Sequence, residues 1–420
     1  MQSRREDEGP RIYNLFPLLA GPFPAWRAHL ERARQMGFNW IFVNPIQRTG
    51  VSGSLYSIAD YYALNPLLID PGADPPEQQL RAMIKQVHKL GMKLMIDLVI
   101  NHTAADSPLL NEHPDWYRRS HSGEIIHPGA YENSQWVSWD DLAAVDNVNS
   151  PGRQNLWEYW LRLVRHYAAL GFDGFRCDAA YQVPADLWRF LIGTTRSEFP
   201  GLQFFAETLG CTPDQTLEAA RTGFDFIFNS SKWWDFSAPW CLDQLRQTAP
   251  VVPSISFPES HDTERLATEL HGNRDAVRQR YVLAALFSTG VMVPMGFEYG
   301  FRRRLHVVKM RPADWEPPSW DDTDLIGSMN TLKARNRIWN EDAPMESIDV
   351  GNPSVLALLK KTRDASQTGL LLFNTNLHYP QSVNLHSIEG IFGGGVSLAW
   401  PDRRKENSLP PAGYQILSSP

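Results

Sequence analysis

Short apolar runs alternate along most of the chain with longer stretches in which apolar residues return every three or four positions. The runs are Arg11 to Phe16, Trp40 to Val43, Lys93 to Leu98, Gly174 to Cys177, Gln203 to Ala206, Phe224 to Phe228, Ser254 to Phe257 and Val291 to Met295. Each is short and mostly apolar, as strands covered on both faces are. Between them, Trp26 to Met36, Glu77 to Leu90, Asn155 to Leu170, Asp186 to Glu198 and Arg274 to Ser288 carry the period of helices buried along one face. Strand and helix alternating about eight times predict an α/β fold, a closed (β/α)8 TIM barrel.

The alternation breaks twice. After the third strand, residues 102–150 show little sustained periodicity, and a connection of that length is usually functional, so a short inserted domain over the barrel mouth is expected. Beyond about Ala343 the pattern turns to strand-like runs, such as Val355 to Leu359 and Gly369 to Phe373, which predict a small C-terminal antiparallel β domain. The expected division is a catalytic barrel over 1–101 and 151–342, the excursion over 102–150 and the β domain over 343–420. A loop rich in Pro and Trp, Arg311 to Trp320, has the rigidity of a lid or a wall.

Composition narrows the partners. A net charge of −7 leaves no basic excess for nucleic acid or an anionic membrane surface. No window reaches the ~20 apolar residues of a membrane span. The first eight residues mix charges with no apolar run behind them, so a cytoplasmic protein is expected. Cys177, Cys211 and Cys241 lack CxxC spacing and are read as free thiols. Oligomeric state leaves no mark in the sequence.

The candidate chemistry lies in acids that end apolar runs: Asp178 in GFDGFRCD, Glu207 in LQFFAE and Asp262 in SISFPESHD. A parallel barrel delivers the last residue of every strand to one mouth. Cleaving or transferring a glycosyl group needs one carboxylate at the anomeric carbon and one carboxylic acid at the leaving oxygen, and Asp178 and Glu207 fit those roles. Arg176, two residues before Asp178, leaves the strand on the same face and should hold it ionised as a nucleophile. Phe204, Phe205 and Ala206 give Glu207 an apolar setting that raises its pKa toward that of a working acid.

Four segments then resemble the motifs of the α-amylase family of retaining α-glucoside enzymes, glycoside hydrolase family thirteen. They are Asp97 to His102, Gly174 to Asp178, Ala206-Glu207 and Phe257 to Asp262, in the family's order and spacing. Tyr56-x-x-x-Asp60-Tyr61 resembles its aromatic platform, and Val145 to Asn149 the motif that closes its inserted domain. The resemblance implies Asp178 as nucleophile, Glu207 as general acid/base and Asp262 as the carboxylate that grips and distorts the ring. It further implies that His102 and His261 bond sugar hydroxyls, that Arg176 and Asp97 support the nucleophile, that Tyr56 stacks on the ring, and that no cofactor is required. Asn101 matches a position that ligates Ca²⁺ in many amylases, but one Asn is far short of six to eight oxygens.

Departures bear on the substrate. Where family members that bind long α-1,4-glucans often carry Lys-His, this chain has Tyr181 and Gln182, here candidate substrate contacts on the leaving-group side. Asn111 to Tyr117, Ser54 to Tyr62 and the stretch ending in Lys232-Trp-Trp-Asp resemble the maltosyltransferase branch that uses maltose 1-phosphate. Arg302, Arg303, Arg304, His306, Lys309 and Arg311 follow the eighth strand, where barrels often bind phosphate. Trp136, Trp139, Trp233 and Trp234 are candidate sugar platforms. The expectation is a retaining α-glycosidase acting on a carbohydrate, a short α-glucan or α-glucoside, with α-glucan glycosyl transfer as the alternative. A non-catalytic member would have lost one of the three acids. A metallohydrolase built on Asp97, His102, Asp178 and His261 would set Arg176 against its own cation.

Overall fold

A computed structural model describes residues 8–132, 135–384, 388, 392, 397–400 and 407–419. Residues 1–7, and parts of the expected units 102–150 and 343–420, lie outside the described residues. Eight parallel strands close into a barrel in sequential order: β1 Arg11–Leu15, β2 Trp40–Val43, β3 Lys93–Leu98, β4 Gly174–Cys177, β5 Gln203–Glu207, β6 Phe226–Phe228, β7 Ser254–Ser256 and β8 Gly290–Pro294. A helix follows each strand: α1 Arg27–Gln35, α2 Pro76–Lys89, α3 Arg153–Leu170, α4 Ala185–Glu198, α5 Pro213–Ala220, α6 Pro239–Thr248, α7 Arg274–Phe287 and α8 Thr323–Arg335.

Period-two alternation sorts the strand residues into two layers. Ile12, Trp40, Phe42, Met95, Phe205, Phe228, Ile255 and Met292 pack with one another inside the barrel. Their neighbours Tyr13, Ile41, Leu94, Ile96, Phe175 and Phe204 belong to the larger core beneath the helices. The barrel is therefore plugged by side chains, and a site can form only at its rim.

The chain from 102 to 150 carries two short antiparallel ladders, His102–Ala104 with Leu142–Ala144 and Gly129–Glu132 with Gln135–Ser138. Tyr61 Oη ties its root to the mouth by donating to the carbonyls of Val99 and His102, at 2.9 and 3.1 Å. The Pro- and Trp-rich loop forms a wall. Trp315 packs on Phe301, and Trp320 lies so close to Gly300, at φ +64°, that a Cβ there would sit 2.3 Å from the indole.

Behind the barrel, β9 Met345–Ser347, β10 Val355–Lys361, β11 Thr368–Asn374, β12 Ser397–Trp400 and β13 Tyr414–Ser418 form an antiparallel sheet in the order β9-β10-β11-β13-β12. Asp342 seals the seam between the two. Its carboxylate takes the backbone N–H and hydroxyl of Ser254 at 2.8 and 2.6 Å, and those of Thr289 at 2.5 and 2.7 Å, at the N-terminal ends of β7 and β8.

Candidate active site

The strand period that builds the core also places the acids. Asp97 stands two residues beyond Met95 and Glu207 two beyond Phe205, so both face inward one layer nearer the rim. Phe175 and Cys177 face the helices, which leaves Arg176, and Asp178 after it, on the inner face. Register sets Arg176 between Asp97 on β3 and Phe205 on β5.

Arg176 is the hub. Its Nη1 lies 2.6 Å from Asp97 Oδ1 and 3.0 Å from Asp178 Oδ1, and its Nη2 lies 2.8 Å from Glu207 Oε1 and 3.7 Å from Asp262 Oδ2. The guanidinium stands over the Phe42 ring, 5.7 Å from its centre. One cation cannot compensate four carboxylates in a place where burial penalises every charge, so protons are retained. Burial pushes Glu207 up to about 8 against the pull of Arg176, with Asp178 and Asp262 adding to the rise. Burial likewise pushes Asp97 up to about 7, opposed by Arg176.

The turn after Asp178 is strained. Ala179 adopts φ +40°, a left-handed conformation uncommon for a residue with a Cβ, and its N–H donates to Glu207 Oε2 at 2.7 Å. A single turn thus ends β4, directs Asp178 toward the rim and fixes the orientation of Glu207. Tyr181 and Gln182 follow in a 3₁₀ turn, Ala180–Gln182, where Gln182 Nε2 lies 3.3 Å from Tyr181 Oη.

Asp262 comes from the loop after β7. Glu259 and Arg265, both buried, clamp its two ends with a 2.7 Å ion pair, and Arg265 also donates to the carbonyl of Met295 at 2.9 Å. His261 Nε2 lies 3.1 Å from Asp262 Oδ2 and 2.6 Å from Tyr56 Oη. Tyr56 Oη donates to Asp97 Oδ2 at 2.7 Å and accepts from Asn44 Nδ2 at 2.9 Å, so the proton in the His261 contact belongs to Nε2. Burial lowers His261 to about 4, keeping it neutral. His102 Nε2 is spent on the carbonyl of Tyr56 at 3.1 Å, and Nδ1 of each histidine is a buried acceptor with no partner.

A family model described as the glucanotransferase domain of glycogen debranching enzyme matches residues 11–122. An α-1,4-glucan:maltose-1-phosphate maltosyltransferase of Burkholderia pseudomallei is 24% identical over 413 residues, 94% of this chain and 36% of that protein. The enzyme of the same name from Rhodospirillum rubrum is 26% identical over 398 residues, 89% of this chain and 57% of that protein. The chain therefore spans 36% to 57% of the length of these relatives. The crystal structure of an α-amylase from Lactobacillus plantarum shares the fold, with a TM-score of 0.76 at 20% identity, covering 98% of this chain and 99% of that one.

The resemblance to the α-amylase family holds.

Of the residues that the α-amylase motifs single out, Asp97, Arg176, Asp178, Glu207, His261, Asp262 and Tyr56 meet around one guanidinium, and His102 adjoins them through Tyr56. Asp97 is buried behind Arg176, and the contacts of Tyr56 here are with Asn44, Asp97 and His261. Asp60 is not brought in as a substrate contact: its Oδ1 accepts from the N–H groups of Tyr62 and Ala63 at 2.9 and 3.2 Å, fixing a turn. Sequence reasoning passed over Ala179, Asn44, Glu259 and Arg265. Only Glu259 and Arg265, as opposite charges six residues apart in a short loop, left any sign.

Asn101 Oδ1 is buried with no hydrogen-bond partner among the described residues, and its amide donates to Gln182 at 3.3 Å. The basic loop is held by mixed contacts, to acids and to backbone carbonyls. Arg303 pairs with Asp314, Glu316 takes the N–H groups of Arg302 and Arg303 at 3.1 and 2.8 Å, and Arg304 reaches the carbonyl of Asp262 at 2.8 Å. Trp234 is buried and Trp139 half-buried, whereas Trp136 and Trp233 are exposed. Cys177, Cys211 and Cys241 are free thiols, and no helix among the described residues is long and apolar enough to cross a membrane.

Proposed function

We propose that this chain transfers α-glycosyl units by double displacement, with Asp178 as nucleophile, Glu207 as general acid and base, and an α-1,4-glucan hydroxyl as the favoured acceptor. The observation that carries the reading is the single guanidinium shared by Asp178 and Glu207, beside which burial keeps Glu207 protonated near neutrality. Asp178 attacks the anomeric carbon while Glu207 gives its proton to the departing oxygen, leaving a glycosyl-Asp178 ester and a Glu207 carboxylate. That carboxylate then removes the proton of an incoming hydroxyl, which displaces Asp178 and restores the starting configuration. Arg176 keeps the leaving Asp178 carboxylate stable, and Asp262 with His261 lies beside the position where positive charge develops.

Transfer is favoured over hydrolysis by the relatives, which are named α-1,4-glucan:maltose-1-phosphate maltosyltransferases. The α-amylase whose fold it shares supports hydrolysis as the second reading. Incubation with maltohexaose, with and without maltose 1-phosphate, separates them. Chains lengthened by two glucose units support maltosyl transfer, a spread of longer and shorter chains supports glucan transfer, and free reducing sugar alone supports the hydrolase. No turnover of any α-glucan or α-glucoside would sink both.

A further inference from the structure

We infer that Trp233 is the acceptor platform, an indole held at the acid side of the mouth to stack on the sugar that receives the glycosyl unit. The inference rests on the proposed glycosyl transfer and adds the residue that decides between a sugar and water. Trp233 is 58% exposed, while Ser231, Lys232 and Trp234 around it are buried. A lone exposed apolar side chain is ordinary, and Trp233 stands apart by being held rigidly beside the proposed acid rather than by exposure alone. This loop is not free to move. Arg280 Nη2 donates to the carbonyls of Ser231, Lys232 and Trp234 at 2.9, 3.1 and 2.9 Å, and the Lys232 ammonium is paired with Glu269. Ser231 Oγ takes the N–H of Phe257 at 3.1 Å, which anchors the same turn to the loop after β7.

The loop is stitched to the one that carries the general acid. Thr208 Oγ1 donates to the carbonyl of Phe228 at 2.7 Å, Ser230 Oγ to that of Thr208 at 3.2 Å, and the N–H of Gly210 to Ser230 Oγ at 3.2 Å. Gly210, three residues past Glu207 and at φ +76°, lies beside the indole, so that a Cβ there would stand 3.7 Å from Cζ3 of Trp233. Leu209, between them, lines the small cavity shared by Glu207 and Asp262. In the proposed reaction the oxygen that Glu207 protonates leaves past Glu207 and the incoming hydroxyl must arrive by the same route, which the Trp233 loop borders through Gly210. A sugar has an apolar face that an indole covers well, whereas water gains nothing from it. The wall therefore favours sugar acceptors, and a rigid ring does so with little loss of side-chain entropy.

Trp233→Ala and Trp233→Phe test this with two readouts. In the otherwise native enzyme, with maltotriose as acceptor, Trp233→Ala should lower the ratio of transferred to hydrolysed product roughly tenfold and raise the acceptor KM by a similar factor, with Phe restoring most of both. Paired with Glu207→Gln, which should slow turnover of maltotriose enough for binding to be read, Trp233→Ala should weaken maltotriose binding in calorimetry by a like factor. Two results would overturn the platform: equal product ratios in native, Ala and Phe enzymes together with equal affinities, or no maltotriose binding to Glu207→Gln protein with or without Trp233→Ala. If the native enzyme turns over no α-glucoside while the affinities still differ, the proposed reaction fails and the sugar platform stands.

Discussion

Glu207 sits 2.8 Å from a guanidinium that ought to ionise it, yet burial wins and holds its proton to about 8. The rate should register this. kcat/KM is expected to fall about tenfold per pH unit above pH 8, the alkaline limb of an essential acid in the free enzyme. Glu207→Gln should lose that limb, keep the fold, and slow poor leaving groups by about 10²–10⁴-fold, as steady-state kinetics on donors of graded leaving-group pKa would reveal. Stability follows the same proton. The folded state binds it between the ordinary value of 4.5 and about 8 while the unfolded chain has released it, so this group's contribution is full below 4.5 and is lost as pH rises to 8. Melting curves across that window should show native protein losing stability relative to Glu207→Gln, whose neutral amide does not titrate; a constant difference would refute the raised pKa. At this scale the acids were legible because a charge ending an apolar run is costly unless used, and Asp178, Glu207 and Asp262 all sit at the rim. Ala179 was not, since a left-handed φ leaves no trace in a residue type that normally avoids it. Asp60 shares its motif with Tyr61, whose hydroxyl braces the mouth, while its own Oδ1 holds a turn.

Eight strands could be read from the chain because each is buried on both faces, so hydrophobicity alone marks it. Helices were harder where a neighbour's backbone replaces side-chain packing. In α8 the small Gly327 lets the helix approach the backbone at Gln35 and Met36, and Asn330 Nδ2 donates to the carbonyl of Met36 at 2.8 Å, so an element that binds through Gly and Asn shows little apolar stripe. The loop after β7 is a further case. Between Pro258 and Ser260, Glu259 reads as a solvated turn residue, but its carboxylate is buried, pairs with Arg265 and takes the N–H of Leu266 at 2.6 Å. Arg265→Ala would leave that carboxylate without its partner and should destabilise the protein by about 3–5 kcal/mol in urea denaturation. Glu259→Gln keeps the shape and one hydrogen bond, so it should fold. Because it loosens the loop that carries Asp262, it should lower kcat more than it raises KM, a split that a purely structural residue would not give.

Joining barrel and sheet buries two lysines at one seam. Lys360 of β10 donates to the carbonyls of Leu286 and Phe287, at 3.1 and 3.0 Å, where α7 ends. Lys333 of α8 donates to the carbonyls of Ser288, at 2.7 Å, and Trp339. Carbonyl dipoles at a helix end suit a cation, but burial still lowers both ammonium groups, Lys360 to about 8 and Lys333 well below its ordinary value. Above pH 8 the folded protein therefore releases the Lys360 proton while the unfolded chain keeps it up to its ordinary 10.5, so the contribution of this group to stability should rise with pH in that interval, by a few kcal/mol at most. Buried thiols and tyrosines act the other way, because the unfolded chain ionises Cys177, Cys211 and Cys241 around their ordinary 9.0 and Tyr13 and Tyr56 around 10.0 while burial keeps them neutral in the fold. Guanidinium unfolding at pH 8 and pH 9.5 measures the Lys360 contribution: across that interval native protein should gain stability relative to Lys360→Met. An unchanged difference between the two proteins would refute the lowered Lys360. The catalytic rim should be indifferent to this change, because Lys360 sits at the opposite end of the barrel, and transfer kinetics of Lys360→Met at pH 7 should match those of the native enzyme.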